Sequence, residues 1–330
     1  MNDSAISNAG DSSAASWIGS RKRLLFPVAG LFLIGFFLLP HFATAYVVTL
    51  FLIMFVYIGY STAWNLMSGL TGYVNFGFAL FVGIGSYTSV LLIEDLRVSW
   101  PVAWVAGGVA SAAVAFLLGS FMLRLRGSYF AIGMLALLLG IKLIFTSKYL
   151  APITRGGYGF SFIEPLGLNM MYYAVCFLAL CNIFISYKVI TSTFGARLIA
   201  IREDEEGAGS LGINATKNKI LAFALSGFLA GVVASGHIAF QNYIEPESAF
   251  NGKWTIVPIV MVLLGGPGSV WGPVLGAVIL TFVEEFLWSQ FTSSYLMIYG
   301  IIMILLVMLM PGGMIEWLKL KGHLPKIRAL

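Results

Sequence analysis

Long apolar runs recur along almost the whole chain and limit what it can fold into. Each run has about 17 to 25 residues, enough to cross roughly 30 Å of hydrocarbon as an α-helix, which pairs its backbone polar groups internally. A soluble fold is excluded, since a chain with 59% hydrophobic and 10% charged residues has too little polar surface to cover itself. We therefore predict an all-α, polytopic helical membrane protein. Eight full spans are expected, at about 24–40, 44–67, 73–93, 99–123, 128–146, 170–190, 219–240 and 295–310.

The region 254–288 is predicted to form a broken hairpin instead of one helix. Its first part, 254–264, is only about half a bilayer long, and GGPGS at 265–269 interrupts it before 271–288 carries the chain back. These two segments bring the prediction to ten membrane segments. Irregular backbone at membrane depth persists only where protein or water satisfies its polar groups, so the break should face the interior of the bundle.

Polar segments are expected at both ends of a transmembrane domain that spans 24–315. The stretch 1–23 is rich in Ser, Ala, Asn and Asp and reads as a disordered cytoplasmic tail. A signal peptide is the alternative for the first apolar run, but no small-residue cleavage pattern follows it, so we expect a retained span. The tail 316–330 contains KLKGHLPKIR, which we interpret as positive-inside anchoring and not as a nucleic-acid patch.

Lysine and arginine side chains predict the orientation. With the amino terminus inside, fourteen of them fall in inner segments and four in outer segments. Both termini and the loop 194–219 should therefore be cytoplasmic, while 147–169, 241–253 and 288–294 face outward. The four outer cations are Arg97, Lys148, Arg155 and Lys253.

The loop 194–219, FGARLIAIREDEEGAGSLGINATKNK, is the one long polar stretch between two apolar segments. Compact, glycine-punctuated charge of this kind is typical of a surface that holds a soluble partner; a merely solvated loop is the alternative. Within it we expect a short helix with a charged start that ends at Gly212.

Signatures of enzymatic chemistry are not found in the sequence. GGPGSVWG lacks the lysine of a phosphate-binding loop, so the chain does not bind nucleotide in that manner. The histidines at 41, 237 and 323 do not have metal-site spacing, and no nucleophile stands with a base and an orienting acid. We predict no catalytic residue, no metal and no cofactor.

Ionisable residues inside the predicted spans are few, which weakens a stand-alone ion-coupled carrier without excluding it. Lys142, Glu284 and Glu285 lie near span ends, where an interfacial position is the simpler interpretation. The stretch SGLTGYVNFGFALFVGIGSYTS at 68–89 combines glycines with neutral polar residues, which suits either a pathway for a polar solute or close helix packing. The candidate pathway residues are Asn65, Asn75, Ser86, Tyr87, Thr88, Gly265, Gly266 and Gly268.

Six segments, taken in chain order, carry a resemblance to a known family. The chain resembles the longer membrane permease of the branched-chain amino-acid importers of the ATP-binding-cassette (ABC) class. The segments are NLMSGLTGYVNFGFALFVGIGSYTSVLL at 65–92, RLRGSYFAIGMLAL at 124–137, TRGGYGF at 154–160, FGARLIAIREDEEGAGSLGIN at 194–214, VMVLLGGPGSVWGPVLGA at 260–277 and YGIIMILLVMLMPGGM at 299–314.

The resemblance implies a permease subunit in a bacterial inner membrane that forms the pathway for apolar amino acids. It also implies four partners: a second related permease, cytoplasmic ATPase subunits that hydrolyse ATP, a periplasmic or surface substrate-binding protein, and the lipid bilayer. Similar permeases serve urea and short-chain amides, so cargo stays open between these and branched-chain amino acids. The alternative of another class is a carrier or facilitator that works alone.

Two motifs of the resemblance imply particular residues. Glu206, Ala208 and Gly212 match the signature of the loop that docks into the ATPase, although Gly207 replaces its first alanine. The outer motif TRGGYGF is interrupted, relative to the family pattern, by Arg155 and Tyr158. We predict ATPase docking by Arg202, Glu205, Glu206, Ala208 and Gly212, and an outer gating or receiving loop with Thr154, Gly156 and Gly159.

Overall fold

The computed structural model describes residues 35–161, 166–291, 294–309 and 312–321. The predicted tail 1–23, most of the first predicted span and the end of the basic tail lie outside these residues. Residues 35–42 are helical, and the longer helices that follow are α1 Ala45–Trp64, α2 Phe78–Glu94, α3 Trp100–Met122, α4 Ser128–Thr146, α6 Leu168–Ile190, α7 Thr193–Glu203, α9 Ala215–Gln241, α11 Lys253–Gly265, α12 Trp271–Gln290 and α13 Tyr295–Leu309.

Shorter elements connect these helices. A π-helix at Asn65–Gly69 continues α1, and a 3₁₀ turn occupies Gly156–Tyr158. The short helices are α5 Ala151–Thr154, α8 Glu205–Ser210, α10 Pro246–Ala249 and α14 Gly313–Leu320, and two-residue strands β1 Phe160–Ser161 and β2 Tyr243–Ile244 pair antiparallel, with Phe160 opposite Ile244.

Seven stretches of the described residues are helical, long and apolar enough to cross a membrane. This confirms a polytopic helical membrane protein. Beyond the seven, α2 is shorter because its amino-terminal end is irregular: Gly72 has φ +76°, and the Asn75 Oδ1 accepts a hydrogen bond from the Gly77 N–H, so the helix begins at Phe78 and not at 73. The spanning stretches are Ala45–Gly69, Trp100–Met122, Ser128–Thr146, Leu168–Ile190, Ala215–Gln241, Pro246–Gly265 and Trp271–Gln290.

The broken hairpin is present, but its first arm is longer than predicted. Gly265 ends α11 and Trp271 begins α12, so the chain breaks at GGPGS as expected. The half-length interpretation of 254–264 is wrong, however, because α10 precedes α11 and together they form a stretch of 20 residues. Pro246, which was predicted to lie in an outer loop, is the first residue of α10.

Small residues bring α2, α3 and α9 close together at the centre of the bundle. A side chain added at Gly85 would meet the backbone of Gly231, and one at Gly231 would meet Ser111. The Ser235 hydroxyl donates to the Gly85 carbonyl at 3.1 Å, and the Ser111 hydroxyl to the Phe81 carbonyl at 2.8 Å. Gly231 and Ser235 therefore allow close packing of α9 against α2 and α3.

Candidate functional site

Two short helices form the polar loop between α6 and α9. Asp204 separates α7 from α8, and its carboxylate accepts the Glu206 N–H at 3.0 Å, which caps the start of α8. Ser192 caps α7 in the same way by accepting the Gly195 N–H at 3.2 Å. The loop is therefore a folded unit with two capped helices.

A glycine in the left-handed region ends α8. Gly212 has φ +80°, and the N–H of Ile213 returns to the Ala208 carbonyl at 3.0 Å. This confirms the predicted short helix with an acidic start and a glycine end. Beside the turn, the side chain of Leu211 is 82% exposed, so an apolar group stands at the tip of a polar loop.

Arg202 ties this loop to the membrane-spanning helices. Its guanidinium donates from Nη1 to the Gly69 carbonyl at 2.8 Å, where the π-helix ends. The same nitrogen would lie 3.2 Å from a side-chain carbon placed on Gly268, in the broken hairpin. The side chain of Arg202, predicted to dock the ATPase, is thus turned toward the membrane domain.

A second tie joins α8 to the start of α9. Lys219 Nζ lies 2.7 Å from Glu205 Oε1, and the Tyr73 hydroxyl donates to Glu205 Oε2 at 2.7 Å. The Lys219 ammonium also lies 4.4 Å from the centre of the Tyr73 ring. Burial alone would raise the pKa of Glu205, but the hydrogen bonds from Lys219 and Tyr73 outweigh it and lower the pKa. The carboxylate is therefore held ionised against its partner.

The exposed surface of the loop includes Glu206, Leu211 and Gly212. Glu206 has a side chain that is 83% exposed and pairs at 3.3 Å with Arg126, whereas Ala208 is buried. Of the predicted docking residues, Arg202 is exposed although its guanidinium bonds to Gly69, and Glu205 is half-buried. Ala208 packs, and Glu206 and Gly212 remain at the surface with Leu211. Docking itself stays a prediction for all five.

Sequence reasoning missed three members of this arrangement. Leu211 could have been noticed as a large apolar residue close to the predicted helix end at Gly212. Lys219 gave a signal too, since a cation at the start of a helix is unfavourable unless an anion pairs with it. Tyr73 gave no signal, because its partner Glu205 is distant in the chain.

The break between α11 and α12 is bonded to the π-helix. The Asn65 side chain donates to the Ser269 carbonyl at 2.9 Å and accepts from the Gly268 N–H at 2.8 Å. The Ser269 hydroxyl donates to the Gly266 carbonyl at 2.8 Å and accepts the Gly272 N–H at 3.0 Å. Two irregular backbone segments thus satisfy each other inside the protein, and the expectation that the break faces the interior is confirmed.

Glycine is required within the break for two reasons. Gly266 and Gly268 have φ of +122° and +80°, a region that side chains disfavour. A side chain on Gly265 would collide with the Gly272 carbonyl, so α11 and α12 can approach only without it.

The other predicted pathway residues are mostly packed within the chain. Asn75, Ser86 and Tyr87 are buried, and Thr88 is half-buried. The Tyr87 ring lies 5.1 Å from that of Phe145, centre to centre. Within the described residues, the Asn75 Nδ2 and the Tyr87 hydroxyl have no hydrogen-bond partner. Lining of a pathway by these residues stays a prediction.

The predicted outer loop is a tight turn that leads into β1. The Thr154 hydroxyl donates to the Phe145 carbonyl at 2.9 Å and accepts the Gly156 N–H at 3.2 Å. Gly156 and Gly159 have φ of +57° and +66°, and a side chain on Gly159 would collide with the Ile244 carbonyl. These three residues shape the turn, whereas Tyr158 is 94% exposed. A gating or receiving role for the loop stays a prediction.

Comparison with known proteins adds the family. The model of the branched-chain amino acid transport system / permease component family matches residues 46–307. The chain belongs to this family. It is a permease of an ABC transport system, and its relatives are transport subunits and not enzymes.

Individual relatives of the permease agree with this assignment. The high-affinity branched-chain amino acid transport system permease protein LivM of Salmonella typhimurium is 29% identical over 300 residues, 81% of this chain and 70% of the relative. The probable LivM of Methanocaldococcus jannaschii is 26% identical over 84% of this chain and 92% of the relative. The autoinducer 2 import permease LsrC of Salmonella paratyphi B is 27% identical over 66% of this chain and 68% of the relative. No solved structure matches the chain significantly.

Proposed function

We propose that the permease forms, with a second related permease, the translocation pathway of an ABC importer for branched-chain amino acids in a bacterial inner membrane. A separate cytoplasmic ATPase binds the α7–α8 loop, and a periplasmic or surface binding protein delivers the cargo. The observation that carries this proposal is the two-sided character of the loop. Glu206 and Leu211 face outward, while Arg202 and Glu205 bond to the membrane domain.

The connection supplies a route from ATP hydrolysis to the pathway. A movement of the ATPase that displaces α7 also displaces the Arg202 guanidinium, which bonds to the carbonyl end of the π-helix. The π-helix in turn holds the break through Asn65. Because these segments are irregular, they can change conformation more readily than the close-packed helices α2, α3 and α9.

Cargo is tested by uptake into vesicles that contain the permease, its ATPase, its partner permease and its binding protein. ATP-dependent uptake of labelled leucine, isoleucine and valine is expected, without uptake of glutamate. Uptake of urea without uptake of the three aliphatic amino acids would show that the cargo is urea. The assignment as an importer would still hold. Autoinducer 2 is included among the labelled compounds, because one relative is an autoinducer 2 import permease. A permease that transports alone and retains no ATPase in detergent would be a carrier or facilitator, which contradicts the proposal.

Orientation is tested by accessibility of single cysteines in a variant whose two native cysteines are replaced. Ser210→Cys should react only from the cytoplasmic side, because positive charge places the α7–α8 loop inside. Tyr158→Cys should react only from the outer side. Both parent residues are exposed, so each probe can be reached. Reaction of the Ser210 probe from outside would reverse the proposed orientation.

The end of α8 gives a third test. Gly212→Val should lower ATP-dependent transport severalfold and leave insertion unchanged, because valine at φ +80° costs about 1–2 kcal/mol of backbone strain. No neighbouring atom lies within 4 Å of an added side-chain carbon, so backbone conformation and not space decides the effect.

Gly212→Asn is the matched control, because asparagine adds similar bulk but tolerates the left-handed region. It should retain most transport and most of the ATPase in pull-down from detergent. Equal losses for asparagine and valine would contradict the backbone explanation, and full transport by the valine variant would remove the α8 end from the mechanism.

A further inference from the structure

A cavity of about 300 Å³ lies at the end of α9 that is remote from the α7–α8 loop. His237 borders it, about five helical turns beyond Lys219 on the same helix. Helices α1, α9, α11 and α12 provide its walls. Its polar side chains are Lys253, Glu284, Glu285, Gln241, His237 and Thr281.

Charges of both signs meet at this cavity. Lys253 Nζ lies 2.9 Å from Glu284 Oε1, and Glu285 lies on the same wall. The side chains of Lys253 and Glu284 are 45% and 19% exposed, so the pair is accessible from the cavity and not sealed in the core. Such partly exposed pairs contribute only about 0–1 kcal/mol, which means that a ligand can replace either partner at little cost.

Apolar and aromatic side chains form the remaining walls. Trp254, Trp288 and Tyr57 line the cavity together with the charged groups. Both ring nitrogens of His237 have hydrogen-bond partners. Nδ1 is 3.1 Å from the Tyr60 hydroxyl and Nε2 is 3.3 Å from Gln241 Nε2. The charged groups and the indole rings are therefore the surfaces that a ligand would meet.

We propose that this cavity binds the ammonium and carboxylate groups of a small apolar amino acid during transport. This inference rests on the proposed function. Lys253 binds the carboxylate and Glu284, with Glu285 beside it, binds the ammonium. The aliphatic side chain packs against Trp254 and Trp288.

Size and charge together select this ligand class. A volume of about 300 Å³ is at the lower limit for small-molecule pockets, which are typically about 300–1,000 Å³. Urea lacks the charges that would replace the Lys253–Glu284 pair. A dicarboxylate would bring a second anion toward two glutamates, which disfavours it.

The cavity is connected to the cytoplasmic ties through the hairpin arms. Lys253 is the first residue of α11, whose last residue is Gly265 at the break. Glu284 lies on α12, which begins just after the break. A ligand that bridges Lys253 and Glu284 therefore bears on both arms, and the break where these arms meet bonds to Asn65 of the π-helix.

The test measures binding of L-leucine by saturation-transfer NMR to the complete transporter in nanodiscs, without the binding protein. L-leucinamide lacks the carboxylate, and 4-methylpentanoate lacks the ammonium; each should bind wild type at least fivefold more weakly than L-leucine. Lys253→Met should weaken leucine binding at least fivefold and remove its advantage over leucinamide. Glu284→Gln should remove the advantage over 4-methylpentanoate.

Matched controls come from the ion pair between Lys142 and Glu247, which does not border the cavity. Lys142→Met and Glu247→Gln make the same chemical changes and should keep leucine binding within twofold of wild type. Lys253→Arg keeps the positive charge and should retain binding, which separates recognition from folding. Each variant is checked by size-exclusion chromatography.

Parallel uptake assays distinguish failure of the site from failure of the proposed function. If wild type imports leucine but shows no binding without the binding protein, or if the Lys253 and Glu284 variants select among the three ligands as wild type does, the cavity assignment is overturned and the importer stands. If wild type neither binds nor imports leucine, the proposed cargo fails and the assignment falls with it.

Discussion

Arg202→Met is expected to reduce ATP-driven uptake at least tenfold while the ATPase remains bound. The guanidinium donates to the Gly69 carbonyl, and a hydrogen bond to a charged group contributes about 1.5–3 kcal/mol. A loss of that size shifts a conformational equilibrium by about tenfold to a hundredfold. Because the outward groups Glu206 and Leu211 are untouched, ATPase binding should persist, and ATP hydrolysis should become independent of loaded binding protein.

Two further variants isolate the contact. Arg197→Met removes an exposed guanidinium from the same helix and should transport like wild type. Arg202→Lys keeps the charge on a shorter, non-planar donor and should give an intermediate rate. The measurements are uptake and ATPase activity in proteoliposomes with ATPase retention in pull-down. Loss of the ATPase from Arg202→Met would place this arginine in the docking surface, as first predicted, and contradict the coupling role.

Local features of the cytoplasmic loop could be predicted from sequence, because each depends on neighbouring residues. The acidic start of α8, its end at Gly212 and the break at GGPGS all follow from capping and glycine preferences within a few positions. The length of the first hairpin arm could not be predicted in this way. Pro246 lies in a stretch predicted as an outer loop, whereas it begins the short helix α10, which precedes α11.

Hydrogen bonds between residues that are distant in the chain could not be predicted from the sequence, for a different reason. Asn65 and Gly268 bond across 203 positions, and Arg202 and Gly69 across 133. No periodicity relates such residues, so the bonds between the Asn65 side chain and the break could not be predicted from the sequence, and its pathway role stays a prediction. The same applies to Lys253 and Glu284, which were interpreted separately as an outer cation and an interfacial anion.

Glu205→Gln is expected to destabilise the permease more than Lys219→Met does. The Lys219 side chain is 2% exposed and that of Glu205 is 24% exposed, so the lysine is the more deeply buried partner. Breaking a buried pair costs about 3–5 kcal/mol when an uncompensated charge remains inside. Removing Glu205 leaves the buried lysine ammonium without an anion, with the Tyr73 hydroxyl and ring as its remaining partners. Removing Lys219 leaves a carboxylate that still accepts from Tyr73 and reaches solvent, so its loss should cost about 1–3 kcal/mol.

The double variant, Glu205→Gln with Lys219→Met, supplies the control. It leaves no buried charge and should recover much of the stability lost in Glu205→Gln. Arg126→Met, which breaks an exposed pair with Glu206, should change stability by about 1 kcal/mol or less. Thermal unfolding in detergent, followed by circular dichroism, ranks the four variants. A double variant less stable than either single one would show that the pair is not the source of the effect.

Lowering the pH of the wild-type protein should reproduce the loss of stability expected for Glu205→Gln. The pKa of Glu205 is lowered in the folded protein, so its pairing stabilises the loop above the ordinary glutamate pKa of about 4.3. That contribution is lost as pH falls from there through the lower folded value. Wild type and Glu205→Gln should therefore differ in stability at neutral pH and converge in acid. Glu205 holds α8, whereas Arg202 holds α7, so release of the α8 tie in acid should leave α7 bonded to Gly69 through Arg202. Reactivity of cysteine probes on α8, measured relative to a free thiol at the same pH, should then increase at lower pH while that of probes on α7 does not. Equal changes on both helices would mean that the loop opens as one unit.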